Sequence, residues 1–263
     1  MENKENVRSI NKIGILTFHC AYNYGAILQC YALQTFLRDN GFNVSIINYR
    51  PNYLASKKPQ FGIKTIVNRT PIHRFKRYYK YYSNFKNYEI FSHKYFALTK
   101  QCETVEEYNT IIKDFDVVII GSDQVWNKKY NGSDIIWFGG GISNNQHLIA
   151  YAVSAGDPNF TEDECAFLTK ILNRFTTLSV REEILASNLA PLTNKEITVT
   201  LDPTLMISPK VWEKWFVPTD KYIVIYQARQ TENVFRIAEQ LSLQYGVEIV
   251  VLDYYWQSIG SLA

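Results

Sequence analysis

Apolar and polar positions along this chain alternate in short blocks that predict strands and helices in turn. Ile13 to Phe18 is an apolar run of strand type. A polar turn follows, and then Ile27, Tyr31, Gln34 and Leu37, with Leu28 and Leu33 alongside, recur at the spacing of a buried helical face over about 26–38. Gly41 is a helix stop, and Val44 to Tyr49 returns as a strand, so the unit reads as a right-handed crossover between parallel strands. Thr104 to Lys113 opens with a capping-box pattern, Thr104 with Glu107, and reads as a helix. Val117 to Ile120 is an unbroken β-branched run, the mark of a strand buried on both faces. Ile135 to Phe138 reads as a short strand or hairpin arm. Strands follow at 147–153, 177–180 and 197–201, separated by helices at 161–175, where Thr161 and Glu164 repeat the capping box, and from 181 to about 189. A short amphipathic helix at 211–216 leads to a second strand–helix–strand piece at 222–226, 231–245 and 247–253. The pattern predicts a parallel α/β domain over 1–206. It also predicts the opening of a second such domain over 207–263, a piece too short for a core of its own.

Four of the predicted strands end in polar tips: Asn23-Tyr24-Gly25, Ser122-Asp123-Gln124, Ser154-Ala155-Gly156 and Ser179-Val180-Arg181. Ligands of α/β sheets bind at the carboxyl ends of strands, so this recurrence predicts a binding crevice along one rim. At the first tip Gly25 allows close backbone approach, the helix behind it offers free N–H groups, and Asn23 either caps that helix or touches a ligand. At the second, Ser122 and Gln124 supply neutral hydrogen bonds, Asp123 a carboxylate and Trp126 a flat wall; the plainer reading is that Ser122 or Asp123 caps the next segment. Gly139-Gly140-Gly141 lacks the lysine and hydroxyl of a phosphate loop and reads as a turn.

Composition changes the picture in two places. The net charge of +3 conceals a basic segment, 57–100, in which eleven Lys or Arg face the single acid Glu89, leaving the rest of the chain acidic. This segment is also rich in tyrosine and predicts a helix over about 72–94. Its mixture suits phosphates, anionic lipid headgroups or sugar faces, or else a solvated helix covering a sheet edge. No nucleic-acid-binding motif accompanies it. The four cysteines show neither CxxC nor metal spacing and read as free thiols of a reducing compartment. No apolar run is long enough to cross a bilayer, which predicts a cytoplasmic protein or one peripheral to the inner membrane face.

The N-Y-G turn, V-V-I-I-G-S-D-Q-V-W-N, Y-A-V-S-A-G, L-S-V-R-E-E and L-D-P-T-L-M, in that order over 12–206, resemble the polysaccharide pyruvyl transferase family. The resemblance implies two Rossmann-like domains in the GT-B arrangement, with the second incomplete here, and a chain that is truncated and inactive as it stands. It implies transfer of the enolpyruvyl unit of phosphoenolpyruvate, the donor substrate, onto two hydroxyls of a glycan or lipid-linked oligosaccharide, with no other cofactor and no metal. Asp123 and Arg181 are then the candidate catalytic residues: Arg181 forks onto the donor's carboxylate or phosphate, and Asp123 orients or deprotonates the acceptor hydroxyl. Asn23, Tyr24, Gly25, Ser122, Gln124, Trp126, Ser154 and Gly156 become candidate substrate contacts. An ion pair from Arg181 to Glu182 or Glu183 is the structural alternative. The four histidines do not match the family's pattern; His19 and His147 read as structural. A nucleotide-sugar-dependent glycosyltransferase and a non-catalytic glycan-binding module are the rival functions.

Overall fold

A computed structural model describes residues 12–55, 85–213, 215, 221–226 and 232–252. Two compact units divide the chain, Met1–Ile207 and Ser208–Ala263.

The first unit is built on a six-stranded, wholly parallel sheet. Its strands are β1 (Ile13–Leu16), β2 (Val44–Ile46), β3 (Val117–Ile120), β4 (His147–Val153), β5 (Thr177–Val180) and β6 (Ile197–Val199). They lie in the order β2-β1-β3-β4-β5-β6. Every residue of β1 and β3 is buried, as their unbroken apolar runs require of strands covered on both faces. Helix α1 (Tyr24–Asp39) follows β1 and buries Ile27, Tyr31, Leu33 and Gln34 as expected, but also Gln29, Cys30 and Ala32 around most of its circumference, while Leu28 and Leu37 of the expected face are only partly buried. The short α2 (Asn52–Ala55) follows β2, and 85–95 is helical, α3. The remainder of the helix expected over 72–94 lies outside the described residues. Helices α4 (Val105–Ile112) and α5 (Glu162–Leu172) both begin with complete capping boxes, Thr104 with Glu107 and Thr161 with Glu164. Helix α6 (Glu183–Leu189) lies between β5 and β6.

The segment expected as a strand or hairpin arm, Ile135–Phe138, is instead a 3₁₀ turn. Asp134 accepts the Ile136 N–H at its start, and Gly139 ends it in the left-handed region (φ 87°). Two capping signals thus outweigh four apolar residues in a row. Trp137, fully buried, meets Phe18 edge-on at 4.7 Å beneath the sheet. The triple glycine lies ahead of β4, at the sheet edge opposite the strand tips.

In the second unit α7 (Pro209–Glu213) precedes β7 (Tyr222–Tyr226), α8 (Glu232–Tyr245) and β8 (Glu248–Leu252). The two strands pair in parallel from Tyr222↔Glu248 to Tyr226↔Leu252, with Ile225 and Ala238 buried. No described helix is long and apolar enough to cross a membrane.

Candidate functional site at the carboxyl rim of the sheet

The strand order creates a switch point. From β1 the chain runs to β2 on one side and returns on the other as β3, the kind of reversal at which ligands of α/β sheets bind. Side chains stitch the loops after β1 and β3 together. Thr17 Oγ1 donates to the Ser122 carbonyl at 2.8 Å, and Gln29 Nε2 from α1 donates to Thr17 Oγ1 at 3.0 Å.

The neighbouring tip is shaped by a bulge in β4 between Ala150 and Val153, where Ala152 takes a φ of 46°. Two serines satisfy the displaced backbone. Ser179 Oγ accepts from the Ala152 N–H (3.0 Å) and donates to the Ala150 carbonyl (3.1 Å), and Ser122 Oγ donates to the Ala152 carbonyl (3.1 Å). The bulge lets Val153 align with Val180 while also bridging Asp123 on its other side. Asp123 itself sits at φ 79°, its carbonyl accepting the Ser154 N–H at 3.0 Å. A non-glycine residue in the left-handed region is uncommon, and here it carries a half-buried carboxylate.

Charge gathers at this point. Burial raises the Asp123 carboxyl above its usual range, opposed by the Gln124 N–H donating to Oδ1 (2.7 Å) and by the positive charge of Arg181. Arg181, at the end of β5, directs Nε to Glu182 Oε1 (3.2 Å) and Nη1 to Asp202 Oδ2 (3.0 Å). Its backbone N–H donates to the Val153 carbonyl, so β4 and β5 both hold it in place. The ion pair named above as the alternative is therefore present, and Asp202 adds a second that the sequence did not suggest. The turn at 203–205, capped by Asp202, packs against α1.

The other predicted residues divide between rim and interior. Asn23 Oδ1 accepts the Ala26 N–H at 3.2 Å, so its side chain caps α1. Tyr24 is 58% exposed. Gly25 is exposed in the first turn with no positive φ; a Cβ there would stand 3.2 Å from Asn23 Oδ1, so what the glycine supplies is room beside the cap. Gln124 Oε1 accepts from Asn127 Nδ2 at 2.8 Å, and Gly156 (φ 72°) packs so close to that pair that a Cβ would run into Asn127. Ser154 is buried, accepting the Gly156 N–H at 3.3 Å. Trp126 is no flat wall of the crevice. It is 3% exposed, donates Nε1–H to the Trp137 carbonyl and stacks on Phe138, because the loop after β3 turns inward as soon as it leaves the rim. Asp123, Arg181 and Asp202 are thus gathered on one rim, while Ser122, Ser154 and Trp126 brace it from below.

One flank of the rim, at the ends of β1 and β2, is closed by a buried polar network. Arg50 binds Glu89 (Nη1 to Oε1, 2.9 Å) and Asn48 Oδ1 (Nε, 2.9 Å). Tyr22 donates to Glu89 Oε1 at 3.3 Å. The lone acid of the basic segment therefore has a specific task, neutralising a buried arginine. His19, fully buried, stands with Nε2 3.0 Å from Asn48 Oδ1 and Nδ1 3.2 Å from the Thr17 carbonyl. Burial drives its pKa down to about 4, with Arg50 adding to the effect. His147 is exposed at the start of β4, at the opposite sheet edge from the rim. No group of three or more potential metal ligands occurs among the described residues.

The first unit is thus a parallel α/β sheet with Asp123, Arg181 and Asp202 gathered at the carboxyl ends of its strands, the end at which α/β sheets bind ligands. The family model for polysaccharide pyruvyl transferase matches residues 23–259, and the chain belongs to that family. It is accordingly a transferase-family protein. No curated protein and no solved structure matches the chain.

Proposed function

We propose that the protein transfers the pyruvyl unit of phosphoenolpyruvate onto two hydroxyls of one sugar in a cell-surface polysaccharide or lipid-linked glycan, forming a cyclic ketal. The family match across 23–259 carries this reading. In the reaction the donor's methylene carbon takes up a proton and C2 becomes cation-like. One hydroxyl oxygen bonds to C2, the second displaces phosphate from it, and the remaining proton leaves with the phosphate. Asp123, half-buried with its carboxyl raised, suits accepting a proton from an acceptor hydroxyl. Arg181 suits a carboxylate or phosphate of the donor.

Charge sets a condition on this assignment. Glu182 and Asp202 already engage two of the guanidinium nitrogens, so Arg181 alone does not make the rim strongly positive. The free N–H groups of the first turn of α1 contribute there, and further cations must complete the donor site. The wider reading includes a GT-B-type fold with a second Rossmann-like domain. The acceptor's lipid-linked form, a basic segment resting on anionic membrane and a cytoplasmic site of action belong to the same reading. Cys30 and Cys102, buried and outside any disulfide, suit a reducing compartment.

The experiment is phosphate release from phosphoenolpyruvate in the presence of a panel of polysaccharides and lipid-linked oligosaccharides. Release that depends on a glycan supports transfer. Thermal stabilisation by UDP or UMP with no response to phosphoenolpyruvate would replace it with nucleotide-sugar chemistry.

A further inference from the structure

We infer that Asp202 is a positioning residue that holds the Arg181 guanidinium in register for an anion; this rests on the reading of Arg181 as part of the donor site. The two oxygens of Asp202 have separate tasks. Oδ1 accepts both the Thr204 N–H (2.9 Å) and the Thr204 hydroxyl (2.7 Å), which fixes the plane of the carboxylate at the start of the 203–205 turn. Oδ2 is thereby aimed at Arg181 Nη1, 3.0 Å away. The turn is itself anchored, because the Thr200 N–H donates to the Val180 carbonyl and Thr200 Oγ1 donates to Ser179 Oγ, the hydroxyl that fills the β4 bulge. Glu182 takes Nε from the near side. The guanidinium is thus gripped at Nε and Nη1, while Nη2 makes no hydrogen bond or ion pair among the described residues and the side chain is 28% exposed. Held at Nε by one carboxylate and at Nη1 by another, the planar guanidinium cannot turn freely, and Nη2 is left as its open donor, with Asp123 near enough for the two charges to interact.

The sign of one substitution separates this role from mere proximity. A bystander carboxylate repels an anion, so its removal tightens anion binding. A carboxylate that orients the arginine weakens anion binding when removed, even though the local charge has become more positive. Binding of phosphoenolpyruvate, and of inorganic phosphate as a control, is measured by titration calorimetry for the wild type, Asp202→Asn, Arg181→Ala and the double variant, each first shown to be folded by circular dichroism. Thr204→Val, which disturbs the cap and leaves both charges in place, is measured alongside. The expected result is three- to tenfold weaker phosphoenolpyruvate binding in Asp202→Asn, a smaller loss in Thr204→Val, and no additional loss on adding Asp202→Asn to Arg181→Ala. Tighter or unchanged binding in Asp202→Asn, with Arg181→Ala still impaired, overturns the positioning role alone. Unchanged binding in Arg181→Ala overturns the reading of the donor site on which it rests. If Asp202→Asn does not fold, Asp202→Glu takes its place, and undiminished affinity in that longer variant counts against the fixed register.

Discussion

Lowering the pH should destabilise the first unit through a single buried ring, His19. The imidazole is fully buried between two acceptors, the Thr17 carbonyl and Asn48 Oδ1, the latter already taking a hydrogen bond from Arg50. Protonation would satisfy both acceptors, yet burial outweighs that gain and Arg50 adds repulsion, so the folded-state pKa is lowered from 6.5 to about 4. The unfolded chain therefore binds a proton at a pH where the folded one does not. The stability this group contributes is complete above pH 6.5, falls as the pH drops from there toward about 4, and is level below. At 1.36 kcal/mol per unit the loss is roughly 3 kcal/mol. Glu89, close by and paired with Arg50, favours protonation and tempers the effect. Urea unfolding of the wild type and His19→Gln at half-unit steps from pH 7.5 to 4 isolates this slope, since other titrating groups are common to both. The wild type should lose roughly 3 kcal/mol more than the variant across the window. Parallel curves would mean that the ring is charged in the folded state or hydrated, and the account of the network would be wrong.

Two further substitutions probe the rim. Gly121 lies at φ 111° with the Tyr151 carbonyl where a Cβ would go, so Gly121→Ala should cost about 3 kcal/mol or more, read as a lower urea midpoint at unchanged slope. Stability within about 0.5 kcal/mol of wild type would show that the β3–β4 contact yields easily. Asp123→Asn keeps the shape of the side chain and removes its charge; it should lose at least a hundredfold in glycan-dependent phosphate release while melting within a few degrees of wild type. Undiminished turnover would remove Asp123 from proton transfer.

What the sequence discloses about this fold is governed by range. The fully buried β3 and both capping boxes are local patterns, spanning a handful of residues each, and they appear in the structure where residue type and cap chemistry place them. The parallel sheet follows from their alternation. The charged rim was legible only as a list of polar strand tips. Which tips turn outward depends on hydrogen bonds between distant residues, such as Thr17 with Ser122 and Ser179 with the β4 bulge, and nothing in a linear pattern marks them. Trp126 shows the same limit from the other side: a tryptophan in a polar loop suggests a wall, but the neighbouring Phe138, Phe175 and Trp137 draw it inward. Asp202 did carry a signal. An Asp-Pro-Thr after a strand is an N-cap with a hydroxyl two residues on, and the freedom of its second oxygen to grip an arginine could have been asked of it. The Ile135–Phe138 turn was ambiguous for a simpler reason, since four apolar residues fit a strand or a helical turn equally well until Asp134 and Gly139 are weighed.

The most direct test of the central claim is a crystal structure of the protein with phosphoenolpyruvate bound. The account predicts the donor at the carboxyl rim, with a carboxylate or phosphate oxygen against Arg181 Nη2, its remaining charge facing the first turn of α1, and Asp123 open toward C2. Phosphoenolpyruvate seated away from this rim, with Arg181 still engaged only by Glu182 and Asp202, would contradict it.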